Sequence, residues 1–162
     1  MALSIPDICD RHSEELQVLE PLFRNYGGLT RFCGQVVTLK CFEDNSVLKE
    51  TLAGEGHGKV LVVDGGGSLR CALLGDVLAG MARDNGWRGV VIYGCVRDVE
   101  LLGGIELGIR ALNVHPLRSN KQGHGQLDAP LRFAGASLAT GQQLYADENG
   151  IVVAERDLGV EF

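Results

Sequence analysis

The sequence predicts an α/β fold with parallel core strands and flanking antiparallel strands, and three observations support this prediction. Residues 61–101 follow the order strand, glycine turn, helix and strand, and a helical crossover favours parallel neighbours. Short apolar runs separated by glycine turns follow in the last third of the chain, as is typical of antiparallel strands. The 23 glycines among 162 residues favour short connections, and this length suits a single domain over residues 1–162.

The N-terminal part is predicted to contain a helix, a strand and a second helix. Ser4 or Asp7 can cap a short helix that ends near residue 12. Residues 32–42 carry β-branched side chains at their centre, which is typical of a strand. Polar residues 44–46 can cap a helix that runs to residue 52. The apolar and acidic residues 16–22 fit either a helix or a strand.

The central part supplies the parallel pair of strands. Residues 60–63 are β-branched or aliphatic, and the glycines at 65–67 allow a sharp turn. From residue 74 the apolar spacing is helical, with a predicted buried face made by Leu74, Val77, Leu78, Met81 and Ala82. Asn85 and Gly86 are typical of a helix end, and residues 90–93 form the second strand.

The C-terminal part is predicted to contain mostly short strands. Its predicted elements are a short helix over 99–102, a strand over 109–115, and strands over 131–134, 137–140 and 151–154. The polar, glycine-containing residues 119–126 are expected to form a mobile surface loop.

Composition limits the classes of function. The net charge of −6, with scattered basic residues, argues against direct nucleic-acid binding. No apolar run approaches the roughly 18 residues of a membrane span, and acidic residues interrupt any signal-peptide pattern. The five cysteines form no C-x-x-C pair and are expected to be reduced thiols. We therefore expect a cytoplasmic protein that has no membrane partner.

The glycine turn does not match a nucleotide-binding pattern. Ligands of open α/β sheets bind beyond the carboxyl ends of the strands, which here are the turn at 65–67 and the loop at 94–98. The turn lacks G-x-x-x-x-G-K-[ST], and Arg70 stands where the last glycine of a dinucleotide fingerprint would be. The turn and Asp64 could also indicate a methyltransferase, but no other part of the sequence indicates a cofactor pocket. The histidines lack metal-ligand spacing, and no G-x-S-x-G is present.

A better candidate site comprises Gly75, Asp76, Arg97 and Asp98. Twenty residues separate Asp76 from Arg97, which is one helix plus one strand and can return the chain to the same end of the sheet. Arg97 suits a carboxylate, Asp98 offers oxygen ligands to Mg²⁺ or Mn²⁺, and backbone N–H groups at the helix start can hold an anion. Spacing alone favours the alternative in which Asp76 caps the helix and Arg97 pairs with a neighbouring acid on the surface.

Residues 60–102 resemble the RraA family, which contains regulators of ribonuclease E activity and class II 4-hydroxy-4-methyl-2-oxoglutarate aldolases. Further resemblance, which extends the match to almost the full chain, lies in residues 18–28, 41–50, 115–125 and 144–153. The resemblance implies a swivelling β/β/α fold. Members similar to the aldolases keep the motif D-x₂₀-R-D, which Asp76, Arg97 and Asp98 match, whereas the regulator of enteric bacteria departs from it.

The resemblance also implies a function. It implies metal-dependent cleavage of 4-hydroxy-4-methyl-2-oxoglutarate to two pyruvates, with oxaloacetate decarboxylation as a secondary activity. Asp98 would bind the divalent cation, Mg²⁺ or Mn²⁺; Arg97 would contact the substrate; and Asp76 would orient metal-bound water. Residues implied to line the substrate site through their backbone N–H groups are Gly75, Asp76, Val77 and Leu78.

The same resemblance carries expectations about partners. It implies a homotrimer with sites near the subunit interfaces. In the larger aldolases a glutamate of the neighbouring subunit adds to the site, and this sequence offers no match for it. The alternative function is that of a protein-interaction regulator that binds and inhibits ribonuclease E.

Overall fold

Four α-helices, one short 3-10 turn and twelve strands make up residues 2–162, the part of the chain that the computed structural model describes. The helices are α1 (Ile5–His12), α2 (Ser46–Leu52), α3 (Asp76–Asp84) and α4 (Val99–Leu102). The strands are β1 (Leu16–Val18), β2 (Arg24–Asn25), β3 (Phe32–Lys40), β4 (Val60–Asp64), β5 (Ala72–Leu74), β6 (Gly89–Val96), β7 (Gly108–Val114), β8 (Gln126–Leu127), β9 (Leu131–Phe133), β10 (Ala136–Leu138), β11 (Gln143–Asp147) and β12 (Gly150–Ala154).

Helix α1 begins where its polar residues predict. The Ser4 hydroxyl accepts a hydrogen bond from the Asp7 N–H at 3.2 Å, and the Asp7 carboxylate accepts one from the Ser4 N–H at 3.1 Å. This reciprocal pair satisfies backbone donors that would otherwise lack a partner in the first turn. The predicted cap and the helix end near residue 12 are both confirmed.

The main sheet combines parallel and antiparallel pairing. Its strand order is β1-β12-β11-β3-β4-β6-β7-β2, and the neighbours β3, β4, β6 and β7 are parallel. The strands β11, β12, β1 and β2 pair antiparallel with their neighbours. The predicted α/β fold with a parallel core and antiparallel flanks is therefore confirmed.

The two faces of the parallel strands bury different layers. Alternate residues of β4, such as Leu61 and Val63, pack into a cluster with Leu48 and Leu52 of α2 and with the buried side of α3. The intervening residue Val62 packs on the opposite face with the β9–β10 hairpin and residues of β11 and β12. Because strand side chains alternate between the two faces of a sheet, strands with apolar residues on both faces are covered by another layer on each face.

The predicted start of the central helix at Leu74 is wrong. Residues Ala72–Leu74 form β5, which pairs parallel with β6, and α3 begins two residues later at Asp76. A three-residue strand is too short to show a period of its own, so its leucines extend the helical pattern backwards. Val77, predicted to be buried, is 76% exposed. The buried face of α3 consists of Leu78, Ala79 and Ala82.

Strand β6 is longer than predicted, and strand β11 was missed. Strand β6 continues through Val96, because β5 pairs with its last residues where β4 has already ended. Only Arg97 and Asp98 of the predicted 94–98 loop therefore lie outside regular structure. Strand β11, which was not predicted, forms a hairpin with β12 around residues 148–149. Its short sequence QLYAD mixes polar and apolar residues, so no alternation stands out.

No helix within residues 2–162 has the length and apolar character that a bilayer crossing requires.

Candidate active site

An open cavity of about 220 Å³ lies at the carboxyl ends of β5 and β6. It is lined by Asn45, Lys49, Ala72, Leu73, Leu74, Gly75, Asp76, Val77, Leu78, Arg97, Asp98, Arg118 and Lys121. All six residues predicted for the site from the sequence are among them. The edge formed by the carboxyl ends of parallel strands is where α/β sheets usually bind ligands.

Strand pairing brings the distant residues together. Leu74 at the end of β5 lies beside Val96 at the end of β6, and the Arg97 N–H donates to the Leu74 carbonyl at 3.0 Å. The chain therefore leaves both strands at the same edge, with Gly75 and Asp76 on one side and Arg97 and Asp98 on the other. A helix and a strand account for the twenty residues between them, as the spacing predicts.

The Asp98 carboxylate lies directly against the start of α3. Its Oδ2 atom accepts a hydrogen bond from the Asp76 N–H at 3.2 Å. A Cβ atom added at Gly75 would come within 2.5 Å of the same oxygen, so a side chain at position 75 would displace the carboxylate. The alternative in which Asp76 caps the helix does not hold, because Asp98 accepts the first helical N–H and Gly75 is the residue at the cap position.

Asp98 adopts an unusual backbone conformation. Its φ of 60° and ψ of 41° lie in the left-handed region, which costs a non-glycine residue about 1–3 kcal/mol, although aspartate tolerates it better than most residues. Its carbonyl oxygen accepts hydrogen bonds from Leu101 and Leu102, and these begin α4. Such strain is typical of functional sites, and here it turns the carboxylate towards the cavity.

Arg97 is held on one side only. Its Nη1 atom donates to the Pro116 carbonyl at 3.4 Å, and its Nε atom lies 4.0 Å from the Asp98 Oδ2 atom. The second distance is too long for a hydrogen bond, and exposed pairs of this kind contribute at most about 1 kcal/mol. Because its side chain is 42% exposed beside the cavity, the guanidinium has donors that are available to a ligand.

The donor set suits a weakly coordinated hard cation. Within residues 2–162, no group of three or more His, Cys, Asp or Glu side chains is placed to hold a metal ion. Asp98 and Asp76 both line the cavity and are partly exposed, and the Asp98 side chain is 35% exposed. A single carboxylate leaves most positions to water and substrate, as Mg²⁺ commonly requires, whereas structural zinc needs four protein ligands.

The sequence analysis did not identify the basic wall of this cavity. Lys49, Arg118 and Lys121 join Arg97 as cationic side chains, against two carboxylates. Arg118 and Lys121 lie close together in the sequence, but they carry no motif that indicates a ligand. Because four cations face two anions, the cavity favours a ligand that carries more than one negative charge.

The triple-glycine turn lies outside this cavity. It leads into β5 instead of into a helix, so it presents no helix N-terminus to a phosphate. Cβ atoms added at Gly66 and Gly67 would meet the rings of Phe42 at 2.6 Å and Tyr93 at 3.1 Å. The turn therefore serves close packing between chain segments.

Comparison with known proteins agrees with this architecture. Residues 5–153 match the RraA-like family, described as Aldolase/RraA. A protein of Pseudomonas syringae pv. tomato is 57% identical over 153 residues, which is 94% of either chain. One of Alkalilimnicola ehrlichii is 56% identical over 158 residues, which is 98% of either chain. Both are named, provisionally, as 4-hydroxy-4-methyl-2-oxoglutarate aldolases.

Solved structures of similar sequence share the fold of this chain. The RNA-processing inhibitor RraA from Thermus thermophilis is 43% identical, with a TM-score of 0.94 and coverage of 99% of this chain and 98% of that one. A Geobacillus kaustophilus structure, titled S-adenosylmethionine: 2-dimethylmenaquinone methyltransferase, is 44% identical, with a TM-score of 0.94 and coverage of 96% and 97%. The family match and these full-length relatives show that the chain belongs to the RraA-like family.

Proposed function

We propose that this protein is a divalent-metal-dependent lyase that cleaves 4-hydroxy-4-methyl-2-oxoglutarate to two molecules of pyruvate. The observation that carries the proposal is the convergence of Asp76, Arg97 and Asp98 on one basic cavity. The names of the relatives that are 56–57% identical support the substrate. The cavity also suits the charge of this substrate, which is a dicarboxylate.

The reaction requires stabilisation of a pyruvate enolate. The bond between C3 and C4 breaks as the 4-hydroxyl loses its proton, and the electron pair passes to the 2-oxo oxygen. One pyruvate forms from C4, C5 and the methyl group on C4, and the enolate of C1–C3 takes up a proton at C3 to become the other. A bound divalent cation would supply Lewis-acid stabilisation of the developing oxyanion, and Asp98 would hold it.

Arg97 and the start of α3 bind and orient the substrate in this scheme. Arg97 presents its guanidinium to the developing charge on the 2-oxo oxygen, and this interaction accelerates the reaction only as far as it strengthens in the transition state. The Asp76 N–H already donates to Asp98, whereas the backbone N–H groups of Val77 and Leu78 lie at the positive end of the helix and would donate to the substrate carboxylate. Asp76 would orient the water that exchanges protons with the substrate.

Oxaloacetate decarboxylation follows from the same geometry. Loss of CO₂ from C4 of oxaloacetate leaves the same pyruvate enolate, so every group that stabilises the first reaction stabilises the second. We therefore propose oxaloacetate decarboxylation as the secondary activity.

Pyruvate release tests this function. Lactate dehydrogenase converts the product and oxidises NADH, whose absorbance reports the rate with Mg²⁺ or Mn²⁺ and then with EDTA. We expect turnover with metal, loss of turnover with EDTA, and a decrease of at least about 100-fold in Asp98→Ala. Asp84→Ala, at the exposed far end of α3, is the matched control and should keep full activity. If neither 4-hydroxy-4-methyl-2-oxoglutarate nor oxaloacetate is turned over with metal present, the proposal is rejected.

We also propose that the protein assembles as a homotrimer. Val77 is exposed at the cavity, and the exposed Val99 and Val114 line a second opening that shares Arg97 and Asp98. Exposed apolar side chains beside a polar site are typical of an interface with another chain. Light scattering should give the mass of three chains, and Val99→Asp should reduce it.

A second candidate function is inhibition of ribonuclease E. It is favoured by the 43% identity to the Thermus RNA-processing inhibitor over nearly the full chain. In that role binding to the nuclease should survive Asp98→Ala, because the contact would not depend on a cation. Failure of the purified protein to bind or inhibit ribonuclease E would exclude it.

A further inference from the structure

A buried acid bonds to the loop that carries two of the cavity's cations. Asp44 precedes α2, is 2% exposed and does not line the cavity itself. Its Oδ2 atom accepts hydrogen bonds from the Gln122 N–H at 2.8 Å and the His124 N–H at 3.3 Å. Its Oδ1 atom accepts bonds from the Ser46 N–H at 2.9 Å and the Ser46 hydroxyl at 2.6 Å. One carboxylate therefore ties the start of α2 to the loop at residues 118–124.

Further contacts on both sides of Asp44 complete this attachment. The Ser46 hydroxyl accepts a hydrogen bond from the Gly123 N–H at 3.0 Å, and the Asn45 N–H donates one to the Asn120 carbonyl at 3.3 Å. The Asn45 Oδ1 atom accepts a hydrogen bond from the Lys121 ammonium at 3.2 Å, and the Asn45 Nδ2 atom donates one to the Leu73 carbonyl at 3.1 Å. The predicted mobility of residues 119–126 therefore does not fit these contacts, since the loop is bonded to residues 44–46 at several points.

The attachment places the loop beside residues 72 and 73 of β5, whereas the proposed metal position is at the end of that strand. Lys121 is linked through Asn45 to Leu73, whereas Asp98 lies against Gly75. One residue, Leu74, separates Leu73 from Gly75, and the two steps of extended chain between them span about 6–7 Å. Arg118 pairs with Ala72, the residue before Leu73. A five-carbon diacid is of comparable length, so its two carboxylates can reach both ends.

We propose that Asp44 is a positioning residue that holds the loop 118–124 so that Arg118 and Lys121 meet the second carboxylate of a dicarboxylic 2-oxo acid. The inference rests on the proposed function, which supplies the 2-oxo acid class. Asp44 acts through the loop and does not touch the substrate. Its substitution should therefore change which acids bind and leave the chemistry at Asp98 in place.

A pair of matched ligands isolates the second carboxylate. 2-Oxoglutarate and 2-oxopentanoate have the same chain length, and only the first carries a distal carboxylate. We expect calorimetry with Mg²⁺ to give at least about 10-fold tighter binding of 2-oxoglutarate to the wild-type protein, as a charge-assisted hydrogen bond implies. Asp44→Asn should bring this ratio close to one, because an amide cannot accept all four hydrogen bonds.

A matched buried acid provides the control. Asp147 is also 2% exposed and accepts backbone N–H groups from Ile5 and Asn149, but it lies outside the cavity. The Asp147→Asn protein should be less stable than the wild-type protein but should keep the wild-type ratio of affinities for 2-oxoglutarate and 2-oxopentanoate. Lys121→Met should lower the ratio without touching Asp44, and Ser46→Ala should lower it less than Asp44→Asn. The last two variants keep the test valid if Asp44→Asn does not fold.

Kinetics separates this inference from the proposed function. In Asp44→Asn, KM for oxaloacetate should rise about 10-fold while kcat changes less than about twofold. An unchanged binding ratio in folded Asp44→Asn, or equal binding of both acids by the wild-type protein, would overturn the inference. If the wild-type protein forms no pyruvate but keeps the ratio, only the proposed function fails.

Discussion

The two walls of the cavity are held by different forces. The wall that carries Gly75, Arg97 and Asp98 is set by main-chain pairing between β5 and β6 in the middle of the sheet. The opposite wall, which carries Arg118 and Lys121, is a loop held by a few main-chain hydrogen bonds at residues 117 and 120 and by side chains, among which the buried Asp44 accepts two of its N–H groups. A single substitution at Asp44 should therefore loosen the second wall, whereas the first should move only when an atom is forced into it. We propose that the first wall carries the reactive groups and that the second determines selectivity.

Gly75→Ala tests the first wall most severely. The added Cβ would lie 2.5 Å from the Asp98 Oδ2 atom, while the backbone φ of −130° suits any residue. We expect kcat/KM for pyruvate formation to fall about 100-fold or more with the fold retained, because the displaced carboxylate could no longer hold the proposed cation.

The matched control for this change is Gly80→Ala in the same helix. Its Cβ would meet nothing closer than 3.7 Å, so we expect full activity and a gain of about 0.5–1 kcal/mol in the free energy of unfolding. Activity of Gly75→Ala equal to that of Gly80→Ala would show that the close approach at position 75 has no catalytic meaning.

Arg97→Lys sharpens the comparison within the first wall. Lysine keeps the charge but loses the planar fork of donors, so the interaction with an oxyanion weakens by about 1.5–3 kcal/mol. Steady-state kinetics should show kcat lower by one to two orders of magnitude. A decrease confined to KM would instead assign Arg97 to ground-state binding.

Acid unfolding tests the second wall and should give the smallest effect. Burial of Asp44 opposes its ionisation, but the hydrogen bonds from Ser46, Gln122 and His124 outweigh burial and lower its pKa to about 2. Since this folded pKa lies below the value of about 3.9 in an unfolded chain, the stabilisation is present above pH 4 and is lost as the pH falls towards 2.

Asp44→Asn should remove that part of the pH dependence. Urea unfolding between pH 2 and pH 5, followed by circular dichroism, would measure it. A stability profile of the variant parallel to that of the wild-type protein would mean that Asp44 has no depressed pKa and that the loop is held otherwise.

Local pattern was sufficient for the elements that carry their own signal. The capping pair of Ser4 and Asp7, the β-branched run of β4 and the helix end at Asn85 and Gly86 were predicted and are present. The short strand β5 was not, because three residues cannot show a period. Its absence from the prediction shifted the start of α3 and placed the exposed Val77 on the buried face.

The sequence by itself determined the α/β class, the family resemblance and the spacing that returns Arg97 to the helix start. Spacing could do this because a helix and a strand have fixed lengths per residue. Only the tertiary structure decided which carboxylate accepts the first N–H of α3 and which cations complete the cavity. These contacts join residues far apart along the chain, such as Asp44 with Gln122, and no local periodicity records which distant groups a buried acid will bind.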